Sequence, residues 1–212
     1  MSRILITSGP TRQYLDPVRY LSNGSSGRMG AALAAAVLEA GHQARVVSGP
    51  VEVAYPAAAE VVSVVSTEEM LQACLDAFPA CDGLIAVAAP CDYQPRAVAA
   101  NKIRKSGQPL RLELVETPDV VAELAAIKGG QWIVGFALET EDQRFRAMQK
   151  LERKSCDLIV LNGPQAISAA DTQIEILNRQ GQSLGYCSGS KMEVARKILA
   201  VVDAQLIRPR HC

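Results

Sequence analysis

Short apolar segments rich in β-branched residues recur along the chain and predict the strands of a buried sheet. They span Ile4–Thr7, Ala44–Ser48, Leu84–Ala88, Ile133–Ala137 and Leu158–Leu161. Each segment is apolar at successive positions, not only at alternate ones, so both of its faces are predicted to be covered. This pattern is typical of parallel strands with helices on both sides of the sheet.

Helical segments separate these strands. The predicted helices are Gly27–Ala40, Thr67–Phe78, a helix that opens at Thr117-Pro118-Asp119, and roughly Glu141–Ser155. Gly41 is suited to end the first helix, and a capping box at 66–69 precedes the second. Thr117 is the predicted N-cap of the third, with Pro118 at its first position. Strands alternating with helices predict an α/β fold with a doubly wound, mainly parallel sheet.

The last third of the chain changes character and predicts a hairpin at one edge of the sheet. Gln173–Leu177 alternates polar and apolar residues, a turn follows at 178–181, and Ser183–Cys187 is the returning strand. A final helix is predicted at Lys191–Leu206. The stretch Ala89–Val115 is irregular, and loops of this length in compact domains are usually functional or mobile. We expect residues 1–212 to form a single domain.

Composition narrows the possible function classes. The 212 residues include 22 Lys plus Arg and 22 Asp plus Glu, for a formal net charge of zero. A non-specific nucleic-acid binder or a polybasic membrane protein would need a basic excess. The longest apolar stretch, Ala31–Leu38, is too short to span a bilayer, and no signal-peptide pattern precedes the first strand. We expect a soluble, cytoplasmic protein.

Cysteine and histidine do not form a metal-binding pattern. The 6 cysteines are scattered without a C-x-x-C pair, and the 2 histidines are His42 and His211. A structural zinc site needs clustered thiolate and imidazole ligands, and disulfides are uncommon in cytosolic enzymes. We expect unpaired thiols, and chemistry that uses carboxylate, lysine, amide and backbone groups.

A segment rich in glycine and serine after the first strand predicts a phosphate-binding helix N-terminus. Ser8–Arg12 follows the strand, and Ser22–Gly30 opens a helix of small residues. Free N–H groups at a helix N-terminus favour an anion, although the same residues also serve as a simple cap. The dinucleotide fingerprint instead places G-x-G-x-x-G directly after the strand, with an acidic residue ending the second strand. The spacing here is G-x-x-G-x-x-G and no acid follows Ser48, which disfavours a nicotinamide oxidoreductase.

The segment Ala86–Pro95 lies at the carboxyl end of the third predicted strand. Its small residues allow a ligand close to the backbone, and Asp92 is placed to meet a hydroxyl, a base or metal-bound water, or only to cap a sharp loop. Cys91 is predicted to be a packed thiol, because no histidine base is available to activate it.

Two other segments carry candidate binding residues. Asn101–Lys105 places three cations in four residues, which suits a nucleotide triphosphate or is a solvated basic loop. At the end of the fourth strand, Gly135 permits close approach of a ligand, and Phe136 either stacks on a base or belongs to the core. Lys150 and Lys154 share one helix face, either toward a ligand or toward solvent.

Taken in order, these segments resemble the phosphopantothenoylcysteine synthetase (phosphopantothenate–cysteine ligase) family, the synthetase domain of the bacterial bifunctional coenzyme A flavoprotein. The matching motifs are Ile6–Arg12, Asp16–Arg19, Ser22–Gly30, Asp92-Tyr93, Lys102–Lys105, Thr117–Asp119, Gly135–Thr140 and Lys150-x-x-x-Lys154-x-x-Asp157. The resemblance implies Rossmann-like and ribokinase-like features, and a homodimer whose neighbouring chains complete each site.

The resemblance also implies a two-step ligase reaction. The carboxylate of 4′-phosphopantothenate attacks the α-phosphate of CTP, which gives an acyl-cytidylate and pyrophosphate. The amine of L-cysteine then displaces CMP and forms the amide. Mg²⁺ on the triphosphate would assist the first step. ATP is the alternative nucleotide, and the lysine loop and Asp92 favour CTP.

Residue roles follow from the family positions. Asn23 matches the asparagine that holds the substrate carboxyl group and the acyl intermediate, and Lys102 matches the lysine required for the first step. The other matching positions are Gly9, Ser25, Gly27 and Gly30 in the phosphate cradle, Ala88 and Ala89 as backbone contacts, and Asp92, Gly135, Phe136, Ala137, Lys150, Lys154 and Asn162 around the nucleotide.

The sequence departs from the family at three places, and two other functions compete. Arg28 replaces a lysine, Pro90-Cys91 replaces a small apolar pair, and Ile167–Gln173 lacks the pattern usual before the hairpin. Because the flavin-binding decarboxylase half lies outside this sequence, we expect no FMN and a decarboxylase partner on another polypeptide. The competing functions are a non-catalytic nucleotide- or flavin-binding partner of the same fold and, more weakly, a nicotinamide oxidoreductase.

Overall fold

A computed structural model describes residues 1–138, 141–162 and 171–208. The strands are β1 (Arg3–Ser8), β2 (Arg12–Tyr14), β3 (Tyr20–Ser22), β4 (Gln43–Ser48), β5 (Glu60–Ser63), β6 (Gly83–Ala86), β7 (Tyr93–Pro95), β8 (Leu114–Glu116), β9 (Trp132–Leu138), β10 (Leu158–Asn162), β11 (Asp171–Asn178) and β12 (Ser183–Ser190). The α-helices are α1 (Arg28–Glu39), α2 (Thr67–Ala77), α3 (Val120–Ala126), α4 (Gln143–Arg153) and α5 (Lys191–Val202).

Over these residues the main sheet has eight strands in the order β12-β11-β10-β9-β6-β1-β4-β5. Six neighbouring strands of this sheet run parallel, namely β10, β9, β6, β1, β4 and β5. β11 and β12 are antiparallel at one edge. The predicted doubly wound, mainly parallel α/β fold is therefore confirmed. The chain leaves β1 toward β4 and later returns to its other side at β6, so the strand order reverses between β1 and β6.

The sheet separates two apolar layers, which explains why its central strands are apolar at successive positions. In β1, Ile4 and Ile6 pack with α1 and α5, whereas Leu5 packs with α2, α3 and α4 on the opposite face. All three side chains are fully buried. A parallel strand covered on both faces has no position left for a solvated side chain.

Capping residues set the helix ends, and one prediction about them is wrong. The capping box predicted at Ser66 is confirmed, because its side chain accepts a hydrogen bond from the Glu69 amide. Gly41 follows α1 with φ of 80°, the left-handed conformation that suits glycine after a helix. The N-cap of α3 is Asp119, which accepts from the Ala122 amide, and not Thr117; Pro118 therefore precedes the N-cap and is not at the first helical position. The Thr117 hydroxyl instead donates to the Cys91 carbonyl at 2.5 Å.

Five short or exposed strands were not predicted. β5 lies at the sheet edge with most of its side chains exposed, so it lacks the apolar signal of the central strands. β2 pairs with β3 and β7 pairs with β8, both antiparallel, as two small separate sheets. The stretch Ala89–Val115 is thus partly ordered, because β7 lies within it and β8 begins near its end.

The C-terminal part follows the prediction with shifted boundaries. β11 and β12 form the expected edge hairpin, each strand being longer than predicted. The final α-helix ends at Val202 and continues as a wider π-helical turn over Asp203–Ile207. Within the described ranges, no helix is both long and apolar enough to cross a membrane.

Candidate active site

The carboxyl ends of β1 and β6 meet where the strand order reverses. Just beyond both strands, the Ala89 amide donates to the Gly9 carbonyl at 2.9 Å. The Ala88 amide donates to Oγ1 of Thr7 at 3.3 Å. In open α/β sheets the crevice at such a reversal is where ligands bind. Three predicted site residues, Gly9, Ala88 and Ala89, thus come together here.

Asn23 reaches this crevice from the segment after β3. Its Nδ2 donates to the carbonyl oxygens of Pro90 at 2.9 Å and Ala89 at 3.3 Å. Because Nδ2 is the donor to these carbonyls, Oδ1 remains as the acceptor on the exposed side chain. The arrangement places one amide group beside the backbone that follows β6.

The glycines that follow Asn23 bring the N-terminus of α1 close to β1. Gly27 is the N-cap with φ of 73°, a conformation that favours glycine. A Cβ at Gly30 would lie 2.0 Å from Oγ of Ser8, so only glycine allows this contact between helix and strand. The amide of Ser25 donates to the Asn23 carbonyl at 2.9 Å.

The first turn of α1 has the electrostatic character of an anion site. It contains no acidic residue and begins with Arg28. Because the N-cap is Gly27, no N-cap side chain in this described part of the chain accepts a hydrogen bond from the first N–H groups. Unfilled N–H groups at a helix N-terminus attract phosphate oxygens. Gly27 and Gly30 therefore occupy positions suited to the predicted cradle.

A chain of hydroxyl groups below this cradle was missed by the sequence analysis. The Tyr55 hydroxyl donates to Oγ of Ser8 at 2.8 Å and lies 2.7 Å from Oγ of Ser48. Ser8 in turn donates to the Gly27 carbonyl at 3.4 Å. Tyr55 lies in an irregular connection with no motif around it, so its sequence context carried no signal.

Threonines fix the backbone of the neighbouring loop at Cys91. The Cys91 amide donates to Oγ1 of Thr11 at 2.8 Å, and the Cys91 carbonyl accepts from Thr117 at 2.5 Å and Thr67 at 3.3 Å. The Cys91 thiol is buried, and burial raises its pKa. A raised pKa disfavours the thiolate, in agreement with the predicted packed thiol.

Asp92 is bonded through its backbone to the segment that leads into α3. Its carbonyl accepts from the Thr117 amide at 3.0 Å, and its side chain is exposed. Two residues after Thr117, Asp119 forms an ion pair with Lys154 at 2.9 Å. Burial alone would raise the pKa of Asp119, but hydrogen bonding and attraction to Lys154, with the Ala122 amide, hold it below its ordinary value. Lys150 lies one turn earlier on α4.

The remaining predicted residues lie farther along the sheet. Phe136 packs toward the layer of α1 and α5, whereas Ala137 is buried toward α4. A Cβ at Gly135 would lie 3.0 Å from the Cys156 thiol, so the glycine makes room for that side chain. Asn162 ends β10 with its Oδ1 buried and, among described residues, without a hydrogen-bond partner.

Lys102 lies apart from the crevice in its own chain. It is exposed on the irregular loop between β7 and β8, and its neighbour Ile103 contacts the turn between β2 and β3. Asn23 adjoins the opposite end of that two-stranded ribbon. The motif residues Glu139 and Thr140, the departure at 167–170, and His211 lie outside the described residues.

Comparisons with known proteins agree with this architecture. The sequence profile of the family described as DNA/pantothenate metabolism flavoprotein C-terminal domain matches residues 1–206. The chain is 41% identical over 212 residues to the coenzyme A biosynthesis bifunctional protein CoaBC of Vibrio cholerae, covering 96% of this chain and 53% of that protein. It thus spans about half the length of the curated relatives it matches.

Two solved structures have the same fold. The C-terminal domain of a coenzyme A biosynthesis bifunctional protein CoaBC superimposes with a TM-score of 0.82 at 32% identity, covering 97% of this chain and 96% of that one. The Cab2 mutant H337A in complex with phosphopantothenate-cysteine superimposes with a TM-score of 0.80 at 16% identity, covering 97% and 86%. At that identity the second likeness concerns the fold alone.

Proposed function

Since the chain belongs to the DNA/pantothenate metabolism flavoprotein C-terminal domain family, we propose that it is a phosphopantothenate–cysteine ligase of coenzyme A biosynthesis. It joins 4′-phosphopantothenate to L-cysteine through an acyl-cytidylate. The observation that carries this proposal is the position of Asn23, whose amide group is fixed on the Ala89 and Pro90 carbonyls at the crevice between β1 and β6.

In the first step a carboxylate oxygen of 4′-phosphopantothenate attacks the α-phosphorus of CTP. The bond from this phosphorus to the bridging oxygen of the β-phosphate breaks, and pyrophosphate leaves. Lys102 offsets the negative charge that develops on the phosphates, and the N-terminus of α1 offers N–H groups to phosphate oxygens. Among the described residues Lys102 has no ion-pair partner, so its charge is available to an anion.

In the second step the cysteine amine attacks the acyl carbon, the bond to the CMP oxygen breaks, and the amine loses a proton. Asn23 holds the acyl group in place for this attack, which makes alignment its main contribution. Gly9, Ser25, Ala88 and Ala89 contribute backbone contacts, while Asp92, Lys150 and Lys154 serve nucleotide binding.

Mg²⁺ fits this site as an ion that arrives with the triphosphate. In the described residues, no three acidic, cysteine or histidine side chains come together as metal ligands. Mg²⁺ is commonly held by substrate phosphates with few protein ligands. The bound ion would neutralise phosphate charge, and the chain's own cations, Arg28 and Lys102, add to that effect.

The proposal includes a homodimer, no FMN in this chain, and a separate decarboxylase for the following reaction. Exposed apolar side chains on the two small sheets and in the turn between β2 and β3 support contact with a second copy; they are Val18, Tyr20, Tyr93 and Leu114. A cytoplasmic location suits an enzyme that uses nucleotides.

A pyrophosphate-release assay tests the proposal with CTP and ATP in parallel. We expect release only with 4′-phosphopantothenate, CTP and Mg²⁺, and CMP with the amide product only after cysteine is added. Lys102→Gln is expected to abolish release, whereas Asn23→Asp is expected to slow breakdown of the intermediate. Protein that binds CTP but never releases pyrophosphate would indicate the non-catalytic alternative, and tight NAD(P)H binding would indicate the oxidoreductase.

A further inference from the structure

Lys102 lies on a long connection without regular structure, so no helix or strand fixes the direction of its side chain. Between β7 and β8, residues 96–113 contain no helix or strand. Lys102 and the residues at 104–113 are exposed. A lysine side chain loses considerable rotamer entropy when it is held. A productive position therefore requires the backbone beside it to be fixed by other contacts.

Three hydrogen bonds hold this connection against the turn between β2 and β3. The Ala99 amide donates to the Leu15 carbonyl at 2.9 Å. The Ile103 amide donates to Oδ2 of Asp16 at 3.0 Å, and the Ile103 carbonyl accepts from the Arg19 guanidinium at 2.9 Å. Both polar backbone groups of Ile103 are thus bound, directly beside Lys102 in the sequence.

Asp16 is the centre of these contacts. Its side chain is fully buried, and both of its oxygens accept hydrogen bonds. Oδ1 accepts from the Val18 and Arg19 amides at 2.8 Å each, and Oδ2 accepts from the Arg19 guanidinium at 2.8 Å as well as from Ile103. An ionised carboxylate is acceptor-only and has enough lone pairs on its two oxygens for all four donors.

The two cations that follow Ile103 have no such role. Arg104 and Lys105 have no ion pair or hydrogen bond within the described chain. The contacts of Asp16 and Arg19 with Ile103, which we call the clamp, therefore act at a single residue of the loop, next to the lysine assigned to the first step.

We propose that Asp16 and Arg19 clamp the backbone of Ile103 and so position Lys102 for the attack on the α-phosphate. Asp16 is a positioning residue, because it acts through the loop and contacts no substrate. This inference rests on the proposed ligase function. It predicts that loosening the clamp reduces the first step while the fold and the crevice at Asn23 remain.

Asp16→Asn is the first test. The amide retains the shape but replaces one oxygen by an NH2 group, which faces two of the four donors and so opens the clamp. We expect first-step turnover at saturating substrates to fall by about tenfold to a hundredfold, the effect of a small misplacement of a reacting group. Amide hydrogen exchange in a peptide that contains Ile103 is expected to accelerate. The matched control is Asp76→Asn, which removes an exposed carboxylate from α2.

Ile103→Pro opens the clamp while Asp16 and Arg19 remain paired. It removes the Ile103 N–H group, one of the four that Asp16 binds, in a loop that contributes nothing to the two apolar layers. We expect the same loss in the first step, with conversion of a supplied acyl-cytidylate by cysteine close to the wild-type rate. Leu110→Pro, at an exposed position of the same loop, is the matched control.

The outcomes separate the clamp from the function. First-step turnover that stays at the wild-type level in both variants, although amide exchange in the peptide around position 103 accelerates, would overturn the positioning role. Loss of both steps together with a lower melting temperature in both variants would also overturn it, because the contacts would then be merely structural. If wild-type protein releases no pyrophosphate, the ligase proposal itself fails, whatever the exchange experiment shows.

Discussion

At the scale of single residues, the glycines of the Ser22–Gly30 segment have different roles although they share one motif. Gly30 lies against Ser8, where a Cβ would meet Oγ at 2.0 Å and Cβ at 2.5 Å. Gly24 has open space around its Cα, with nothing within 4 Å of a Cβ. The sequence spacing alone predicts a cradle but does not distinguish these two positions.

Gly30→Ala tests the close approach of α1 to β1. In an unconstrained helix, alanine would stabilise by up to about 1 kcal/mol relative to glycine. Here the added methyl group must displace Ser8 or the helix, and overpacking of this kind typically costs about 1–3 kcal/mol. We expect a net decrease in the free energy of unfolding, measured by urea titration. Gly24→Ala is the control, and an equal decrease in both variants would refute the steric explanation.

Other features at this scale leave no trace in a single sequence. Asn23 and Gly9 stand in recognisable motifs, so their approach to the ends of β1 and β6 was predictable. Tyr55 and Thr67 are fixed by long-range contacts to Ser8 and Cys91. Such contacts depend on how the chain returns through the sheet, which local sequence patterns do not encode.

At the scale of elements, burial decides which strands were predictable. The five central parallel strands lie between two helical layers, and their continuous apolar residues gave a clear signal. β5 covers only the sheet edge and exposes most of its residues. β2, β3, β7 and β8 have three residues each, which is too short for a periodic pattern to emerge.

The N-terminus of α3 offers a second prediction, because Asp119 both caps the helix and pairs with Lys154. Asp119→Ala removes both interactions, whereas Asp119→Asn retains a good N-cap and removes the charge. We expect a loss of about 1–2 kcal/mol for alanine. For asparagine we expect a loss below about 1 kcal/mol, since the carboxylate is partly exposed to solvent. Equal losses in urea titrations at pH 7 would contradict this division.

The same pair predicts a dependence on pH. The pKa of Asp119 is held below its ordinary value in the folded chain. A carboxyl group of this kind stabilises the fold above its unfolded-state pKa, and the contribution is lost as the pH falls through the lower native value. The stability difference between wild type and Asp119→Asn should be constant near neutral pH and shrink below about pH 4. A difference that grows on acidification would show that Asp119 is not paired as described.

At the scale of the whole molecule, Asn23 and Lys102 are held at different places in one chain. Asn23 lies at the crevice between β1 and β6, whereas the loop of Lys102 is clamped at the far turn of the β2–β3 ribbon. The ribbon and its neighbour β7–β8 also expose apolar side chains, among them Tyr20 and Leu114. Together these features favour a dimer in which Lys102 of one chain serves the Asn23 site of the other.

Mixing two impaired variants tests this arrangement. Asn23→Asp and Lys102→Gln each impair every site of their own dimers. If the two residues of a site come from different chains, each mixed dimer contains one site with both residues intact and one with neither. Random reassortment in a two-fold symmetric dimer then restores about a quarter of the wild-type activity. Each variant carried alone through the same reassortment is the control. If doubly tagged mixed dimers are isolated and still convert no substrate, both residues belong to one chain, and the Lys102 loop must leave its clamp to reach the crevice.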